Sequence, residues 1–244
     1  MTTLIFAHRG ASGYAPENTF TAFELARTMG AGGIETDIQV SADGVLVLVH
    51  DTRVDRTSNG TGNVADLTWA ELSALDAGSW MDARFAGERI VRFDAFLDWA
   101  FPTTGPATGL TMCLEIKAPA ATEPTIEMLT ARGLTARSDL QLSSFDWASA
   151  VRAHEAFPDL VVGFLTPRFD DAEIERVVKA GLPQICPRAD LLTSELVAAA
   201  HARGLNVRAW GVATREHLEL VYSSGADGTT LNWPDWVHGR QQAI

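Results

Sequence analysis

Short apolar runs alternate with helix-like stretches along almost the whole chain, and this rhythm restricts the fold more than any other feature of the sequence. The strand candidates are LIFAH, GIETDIQV with VLVLVH, LTMCLEI, LQLSSF, LVVGFL, QICP, NVRAW and GTTL. Between them lie TFTAFELARTMG, FDAFLDWAF, TEPTIEMLTARG, DWASAVRAHEAF, DAEIERVVKAG, TSELVAAAHARG and TREHLELVYSSG. Several of these close on glycine, at Gly30, Gly133, Gly181, Gly204 and Gly225, which suits a helix C-terminus because glycine takes the left-handed conformation without a Cβ clash. Strand then helix, repeated about eight times in roughly 250 residues, is the pattern of a (β/α)8 barrel of the TIM type. An open doubly wound sheet is the alternative, but the first strand-to-helix loop has no G-x-G-x-x-G fingerprint. Residues 1–244 therefore read as a single catalytic barrel domain.

One segment breaks the rhythm. Residues 51–92, after the second strand, are too long for a simple connection. Thr68 to Glu71 has the capping-box pattern that opens a short helix. This segment reads as a small insertion on the C-terminal face that roofs part of the active site.

Bulk properties narrow the function. The net charge of −12 over 244 residues argues against nucleic acid or an anionic membrane as a partner held by a general field. No apolar run reaches the roughly 20 residues of a membrane span. MTTLIFAHRG lacks a basic stretch and a small-residue cleavage site, so no signal peptide is expected. Cys113 and Cys186 lack a metal-type spacing and read as buried free thiols. These features together point to the cytoplasm.

The chemistry gathers at strand ends. Side chains alternate faces along a strand. In GIETDIQV, Ile34, Thr36, Ile38 and Val40 form the face that packs on helices, while Glu35, Asp37 and Gln39 point into the barrel. In CLEIK, Cys113, Glu115 and Lys117 point inward. LIFAH ends in His8, followed by Arg9, and VLVLVH ends in His50, followed by Asp51. Each polar group then sits at the C-terminal end of an expected parallel strand, where barrels of this kind build their active sites.

Charge says what such a spot holds. Three carboxylates together need a counter-charge, and an all-oxygen set suits a hard cation, Mg2+ or Ca2+. One divalent ion leaves a single negative charge, and Arg9 and Lys117 bring the total to +1, which balances one phosphodiester anion. An arginine fork matches phosphate oxygens and a lysine adds a point charge. His8 and His50 supply a general base and a general acid, since an unperturbed imidazole titrates near neutrality.

The motifs AHRG with PENT, ETD, VHD, LEIK and SSFD, in this order, resemble the glycerophosphodiester phosphodiesterase family. R-T-S-N-G-T-G and ALDAGSW fit that family's insert, and the likeness runs from about Leu4 to Pro234. It implies a TIM-type barrel that binds one divalent cation and cleaves glycerophosphodiesters to glycerol 3-phosphate and an alcohol. By matching positions, His8 and His50 would be the acid/base pair, Glu35, Asp37 and Glu115 would hold the metal, and Arg9 and Lys117 would contact phosphate. The resemblance also suggests that the substrate's own glycerol hydroxyl attacks phosphorus first.

The chain departs from the family in its later strands. Gly211 and Ala213 replace the polar pair of W-T-V-N, Leu231 and Asn232 stand where Thr and Asp are usual, and Ser143 replaces a longer amide. These positions bear on the alcohol side of the substrate. Trp210 is either packing at the barrel top or an apolar wall for the glycerol moiety. Asn18 reads as the N-cap of the first helix, with a second-layer bond to a metal-site carboxylate as the alternative. His154, His201, His217 and His238 read as surface histidines, and Trp69, Trp80, Trp99, Trp147, Trp233 and Trp236 as packing residues. Two rival functions keep the same site: a lysophospholipase D acting on a larger lipid, which an exposed rim at Trp80 and Phe85 would favour, and a binding barrel without catalysis.

Overall fold

The structure is a computed structural model that describes residues 3–103 and 108–237; His238 lies outside them. The alternation resolves into β1 (Leu4–His8), α1 (Phe20–Thr28), β2 (Gly33–Val40), β3 (Leu46–Leu48), α2 (Trp69–Ala74), β4 (Val91–Arg92), α3 (Phe93–Ala100), β5 (Thr111–Ile116) and α4 (Thr122–Ala131). It continues with β6 (Leu140–Ser144), α5 (Trp147–Ala156), β7 (Val161–Thr166), α6 (Asp171–Lys179), β8 (Gln184–Pro187), α7 (Ser194–His201), β9 (Asn206–Val212), α8 (Arg215–Ser224) and β10 (Gly228–Leu231). Eight of these strands run parallel in the order β1-β2-β5-β6-β7-β8-β9-β10. The pairing of β1 with both β2 and β10 closes the barrel. The open-sheet alternative is thereby excluded.

Helices form where the sequence supplies both an apolar stripe and a cap. The side chains of Thr19, Asp146, Asp170, Thr193 and Thr214 each accept a bond from a first-turn N–H of the helix that follows. Gly225 ends α8 with φ of 82°, the left-handed closure expected for it. The buried faces of β2, β5, β6, β7 and β8 meet those helices in one continuous apolar layer that includes Phe23, Ile34, Ile38, Phe96, Leu114, Leu142, Val162 and Ile185.

The barrel interior is different in kind. Gly33, Glu35, Cys113, Glu115, Gly163, Gln184, Cys186 and Arg208 take inward positions beside the apolar Phe6 and Leu165, so the inside mixes small, polar and charged groups with a few apolar ones. Gly163 is required for space there: a Cβ would lie 2.5 Å from Gln184 Oε1 and 2.6 Å from Cys186 Sγ. Both cysteines are buried and free, as expected.

The second strand candidate differs from its expectation. VLVLVH does not continue the parallel barrel. β3 folds back antiparallel on the upper end of β2, pairing Val40 with Leu46 and Ile38 with Leu48. The chain therefore descends toward the barrel mouth as it approaches His50. β4 then pairs antiparallel with β3, and the inserted residues Val54, Val64, Leu72, Ala77 and Ile90 form a separate cluster with Val47 of β3 and Val49 just after it. The capping box at Thr68 and Glu71 forms as read.

Leu72 is fully buried in that second cluster. Its replacement in Leu72→Ala should lower the unfolding free energy by about 2–5 kcal/mol, measured as a reduced urea midpoint with an unchanged slope. A shift below about 0.5 kcal/mol, the range of ordinary surface changes, would show that the insertion is not part of the cooperative unit.

Candidate active site

Sheet register assembles the acidic centre. β1 sets His8 beside Glu35, and β5 sets Cys113 beside Glu35 and Glu115 beside Asp37. One carboxylate oxygen from each of Glu35, Asp37 and Glu115 lies within 4.8 Å of the others, and all three residues are buried. Burying one ionised carboxylate costs several kcal/mol unless it is paired, so the surroundings matter. Arg9 Nε lies 3.1 Å from Asp37 Oδ2, an ion pair that is off the hydrogen-bond axis. Lys117 Nζ is 2.7 Å from Glu115 Oε1 and 3.9 Å from Asp37 Oδ1. Asp37 Oδ1 is buried and has no hydrogen-bond partner.

The three acids respond differently. Burial, with Asp37 and Glu115 beside it, raises Glu35 well above the ordinary carboxylate range. Burial and Asp37 push Glu115 up to about 7 despite Lys117. At Asp37 burial works the other way from its neighbours, and Arg9, His50 and Lys117 outweigh it, so its pKa falls. A pocket that raises two acids out of three and leaves one oxygen orphaned is short of positive charge at that point. A hard divalent cation fits this all-oxygen set.

Two histidines flank the centre in contrasting settings. His8 Nδ1 is 2.6 Å from Asn232 Oδ1. With the amide oxygen accepting, Nδ1 carries the hydrogen and Nε2 holds the free lone pair. Burial, followed by the charge of Arg9, lowers His8 to about 4, so the ring is neutral at pH 7. His50 Nδ1 is instead 2.6 Å from Asp51 Oδ1. Burial, with the charges of Arg9 and Lys117, lowers His50 as well, and Asp37 and Asp51 oppose that shift only in part. Gln39 Nε2 donates to the Asp51 carbonyl at 2.9 Å and fixes the backbone there.

A chain of charges closes around this pair. Asp51 accepts from Arg56 at 2.7 Å, Arg56 bonds Glu17 at 2.7 and 2.8 Å, and Glu17 accepts from Arg9 at 2.9 Å. Arg56 belongs to the inserted segment. That segment does not roof the pocket as expected: none of residues 52–92 lines it. The insertion packs on its own cluster and reaches the site from the side, through Arg56.

The pocket itself has a volume of about 390 Å3. His8, Arg9, Glu35, His50, Glu115, Lys117 and Trp210 all line it, and Asp37 lies buried among them. Every candidate from the sequence thus meets at one mouth. Trp210 is half-buried, donates Nε1–H to the Thr166 carbonyl and packs edge-to-face on Phe145, their centroids 5.1 Å apart. Phe145 is 42 % exposed. The two rings form an apolar wall of the pocket, with Lys117 Nζ 5.6 Å from the Phe145 ring centroid. A wider groove of about 830 Å3, lined by Tyr14, Phe20, Leu25, Met29 and Phe85 among others, shares no residue with this pocket.

Three residues were misread or missed. Thr19, not Asn18, caps α1. Asn18 is buried in a left-handed conformation with φ of 58°. It donates to Asp37 Oδ2 at 3.0 Å while its oxygen accepts from Thr36 at 2.8 Å, so the second-layer alternative is the one that holds. Arg208, two residues before Trp210 on the same strand face, lines the pocket floor and carries a signal the sequence did offer, a charge inside an apolar strand. Arg56 had no such signal, because only the folded insertion brings it to Asp51.

The sequence profile of the glycerophosphoryl diester phosphodiesterase family matches residues 8–236. A glycerophosphodiester phosphodiesterase of Caldanaerobacter subterraneus subsp. tengcongensis is 34 % identical over 238 residues, covering 96 % of each chain. One from Bacillus subtilis is 30 % identical over 263 residues, covering 96 % of this chain and 85 % of the other. Among solved structures, an Oleispira antarctica phosphodiesterase in complex with the product sn-glycerol-3-phosphate superposes with a TM-score of 0.85 at 26 % identity, covering 98 % of this chain and 96 % of that one.

Because Glu115 is raised in the metal-free fold, folding binds a proton more tightly there, and stability from this group falls as pH rises from the ordinary glutamate range through about 7. In chelator, Glu115→Gln should therefore gain in melting temperature relative to the parent as pH goes from 5 to 8. An unchanging difference across that range would contradict the raised carboxyl.

Proposed function

The chain belongs to the glycerophosphoryl diester phosphodiesterase family, and from that membership we propose that it hydrolyses glycerophosphodiesters to glycerol 3-phosphate and an alcohol. The observation that carries this reading is the meeting of three buried carboxylates, two differently tuned histidines and two cations around one pocket. The 390 Å3 volume suits a small glycerophosphodiester better than a long lipid, and the wide groove that could take an acyl chain is separate from it.

Glu35, Asp37 and Glu115 hold one divalent cation, Mg2+ or Ca2+, which when bound supplies a Lewis acid for the phosphoryl oxygens. Lys117 and Arg9 steady the phosphate; each is also paired with two carboxylates, Lys117 with Glu115 and Asp37, Arg9 with Asp37 and Glu17. Trp210 and Phe145 shield the organic part of the substrate from water. His8 is the general base of the first step: its ring is neutral, the bond to Asn232 leaves Nε2 without a hydrogen, and the residue lines the pocket. His50 is the general acid, since Asp51 stabilises the imidazolium that must give its proton to the departing alcohol. The attacking oxygen is the adjacent glycerol hydroxyl of the substrate itself. Among the described residues no serine, threonine or cysteine side chain is hydrogen-bonded to either histidine, so a covalent enzyme intermediate has no carrier, while a tethered hydroxyl reacts with a high effective concentration. In the second step the roles reverse as water opens the cyclic phosphate.

Hydrolysis of glycerophosphocholine tests the reading. Chelation should abolish turnover, and Mg2+ or Ca2+ should restore it. His8→Ala and His50→Ala should each lower kcat by roughly 10²- to 10⁴-fold with metal binding retained, whereas His154→Ala should do little. A substrate methylated at the adjacent hydroxyl should bind and not turn over. Normal turnover in chelator would remove the three carboxylates from the mechanism.

Asn232 sets the basicity of His8 through a neutral acceptor. Asn232→Asp would place a carboxylate there and raise the imidazole. A raised base stays protonated to higher pH, so the acidic limb of kcat/KM should move upward by on the order of one unit. An unmoved limb would show that His8 is not the base that limits it.

A further inference from the structure

Among the described residues, Arg208 is the one buried charge lining the pocket that the reaction above does not use. It is 2 % exposed on β9, below the acidic centre. Nε donates to Gln184 Oε1 at 3.3 Å and the guanidinium lies 5.7 Å from the Phe6 ring centroid. Nη2 is buried and has no hydrogen-bond partner. On the neighbouring strand the side chain runs past Gly228, whose Cβ position lies 3.5 Å from Arg208 Cγ, an ordinary packing distance. It lines the same pocket as Glu35, Glu115 and Lys117. Burying a guanidinium with an unpaired donor is costly unless its charge is used.

Its charge changes the balance of the pocket. With all three acids ionised, as a bound divalent cation would require, Glu35, Asp37 and Glu115 are matched in number by Arg9, Lys117 and Arg208. A divalent cation then leaves it at +2, one more than Arg9 and Lys117 alone provide. The chain Glu17–Arg56–Asp51 carries one negative charge but lies outside the pocket lining. Whatever that rim contributes, Arg208 adds one positive charge from beneath.

We propose that Arg208 is a positioning residue that matches the metal-loaded pocket to a phosphoryl group bearing two negative charges. The inference rests on the metal-dependent phosphodiesterase reading. A phosphodiester brings one negative charge. A second accumulates on the phosphoryl oxygens each time an oxygen attacks phosphorus, falls away in the cyclic diester between the two steps, and is present again in the monoester product. The extra cation therefore favours the attacked state and the product over the bound substrate, which is where electrostatic catalysis gains. It also makes the product hard to release.

Methyl phosphate and dimethyl phosphate separate charge from shape, since at pH 8 the first is a dianion and the second a monoanion, and neither has a glycerol hydroxyl. Titration calorimetry on the Mg2+- or Ca2+-loaded parent should show a preference for methyl phosphate of about tenfold or more. Arg208→Met should remove most of that preference, chiefly by weakening the dianion, and Arg208→Lys should keep most of it. If Arg208→Met does not fold, Arg208→Gln and the preference of the parent decide. Equal binding of the two ligands by the parent, an unchanged preference in the neutral variants, or equal loss in Arg208→Lys and Arg208→Met would overturn the proposal. A purely structural arginine would weaken both ligands alike and leave the ratio unmoved. A parent that binds neither Mg2+ nor Ca2+ overturns the proposed function and the charge count with it; metal binding with an unchanged ratio overturns only the role of Arg208.

Discussion

Three carboxylates within 4.8 Å of one another in a buried barrel mouth repel each other and resist desolvation. Most other features around the mouth answer that repulsion. Arg9 and Lys117 neutralise from the rim, Arg208 neutralises from below, and Asn18 donates to the one acid whose pKa falls. The price is visible in the backbone. Arg9 and Asn18 both sit at φ of 58°, and Asn18 N–H bonds the Arg9 carbonyl at 3.0 Å. Side chains other than glycine adopt that region at a cost of about 1–2 kcal/mol each, with asparagine the more tolerant. Two of the residues that reach Asp37, Arg9 and Asn18, are thus the two that bend the loop against preference.

The insertion takes part in this electrostatic arrangement without covering the pocket. Its apolar cluster anchors a loop, and from that loop Arg56 holds Asp51 and Glu17 at once. His50 and Arg9 are then the two ends of one line of ion pairs. The segment that looks most dispensable in the sequence fixes how one histidine is oriented and how much of the Arg9 charge is left for a ligand.

How far the sequence could be read follows from what each signal depends on. Period-two alternation depends only on the strand itself, and it placed Glu35, Asp37, Glu115 and Lys117 on the inward face. It does not distinguish parallel from antiparallel pairing, so β3 was taken for part of the parallel set. The Asp43-Gly44 turn, with Gly44 at φ of 80°, was the hairpin signal available. The Asn18-Thr19 pair offers two good caps in a row. Only tertiary contact with Thr36 and Asp37 assigns Asn18 elsewhere. Arg208 sat in plain view within NVRAW, but the value of a buried cation depends on the charges across the barrel, which strand periodicity does not report.

The bond between His8 and Asn232 joins residues 224 positions apart. During synthesis the first strand leaves the ribosome long before the last. Until β10 docks against β1, the His8 ring has no acceptor to set its tautomer, and the barrel has no closed wall to keep water from the acids. The His8 acceptor and the closed wall around the acids are therefore missing from every partly made chain and come into being with the final strand. Any cut that frees that strand would open the wall and take away the acceptor while leaving most of the helices and strands in place.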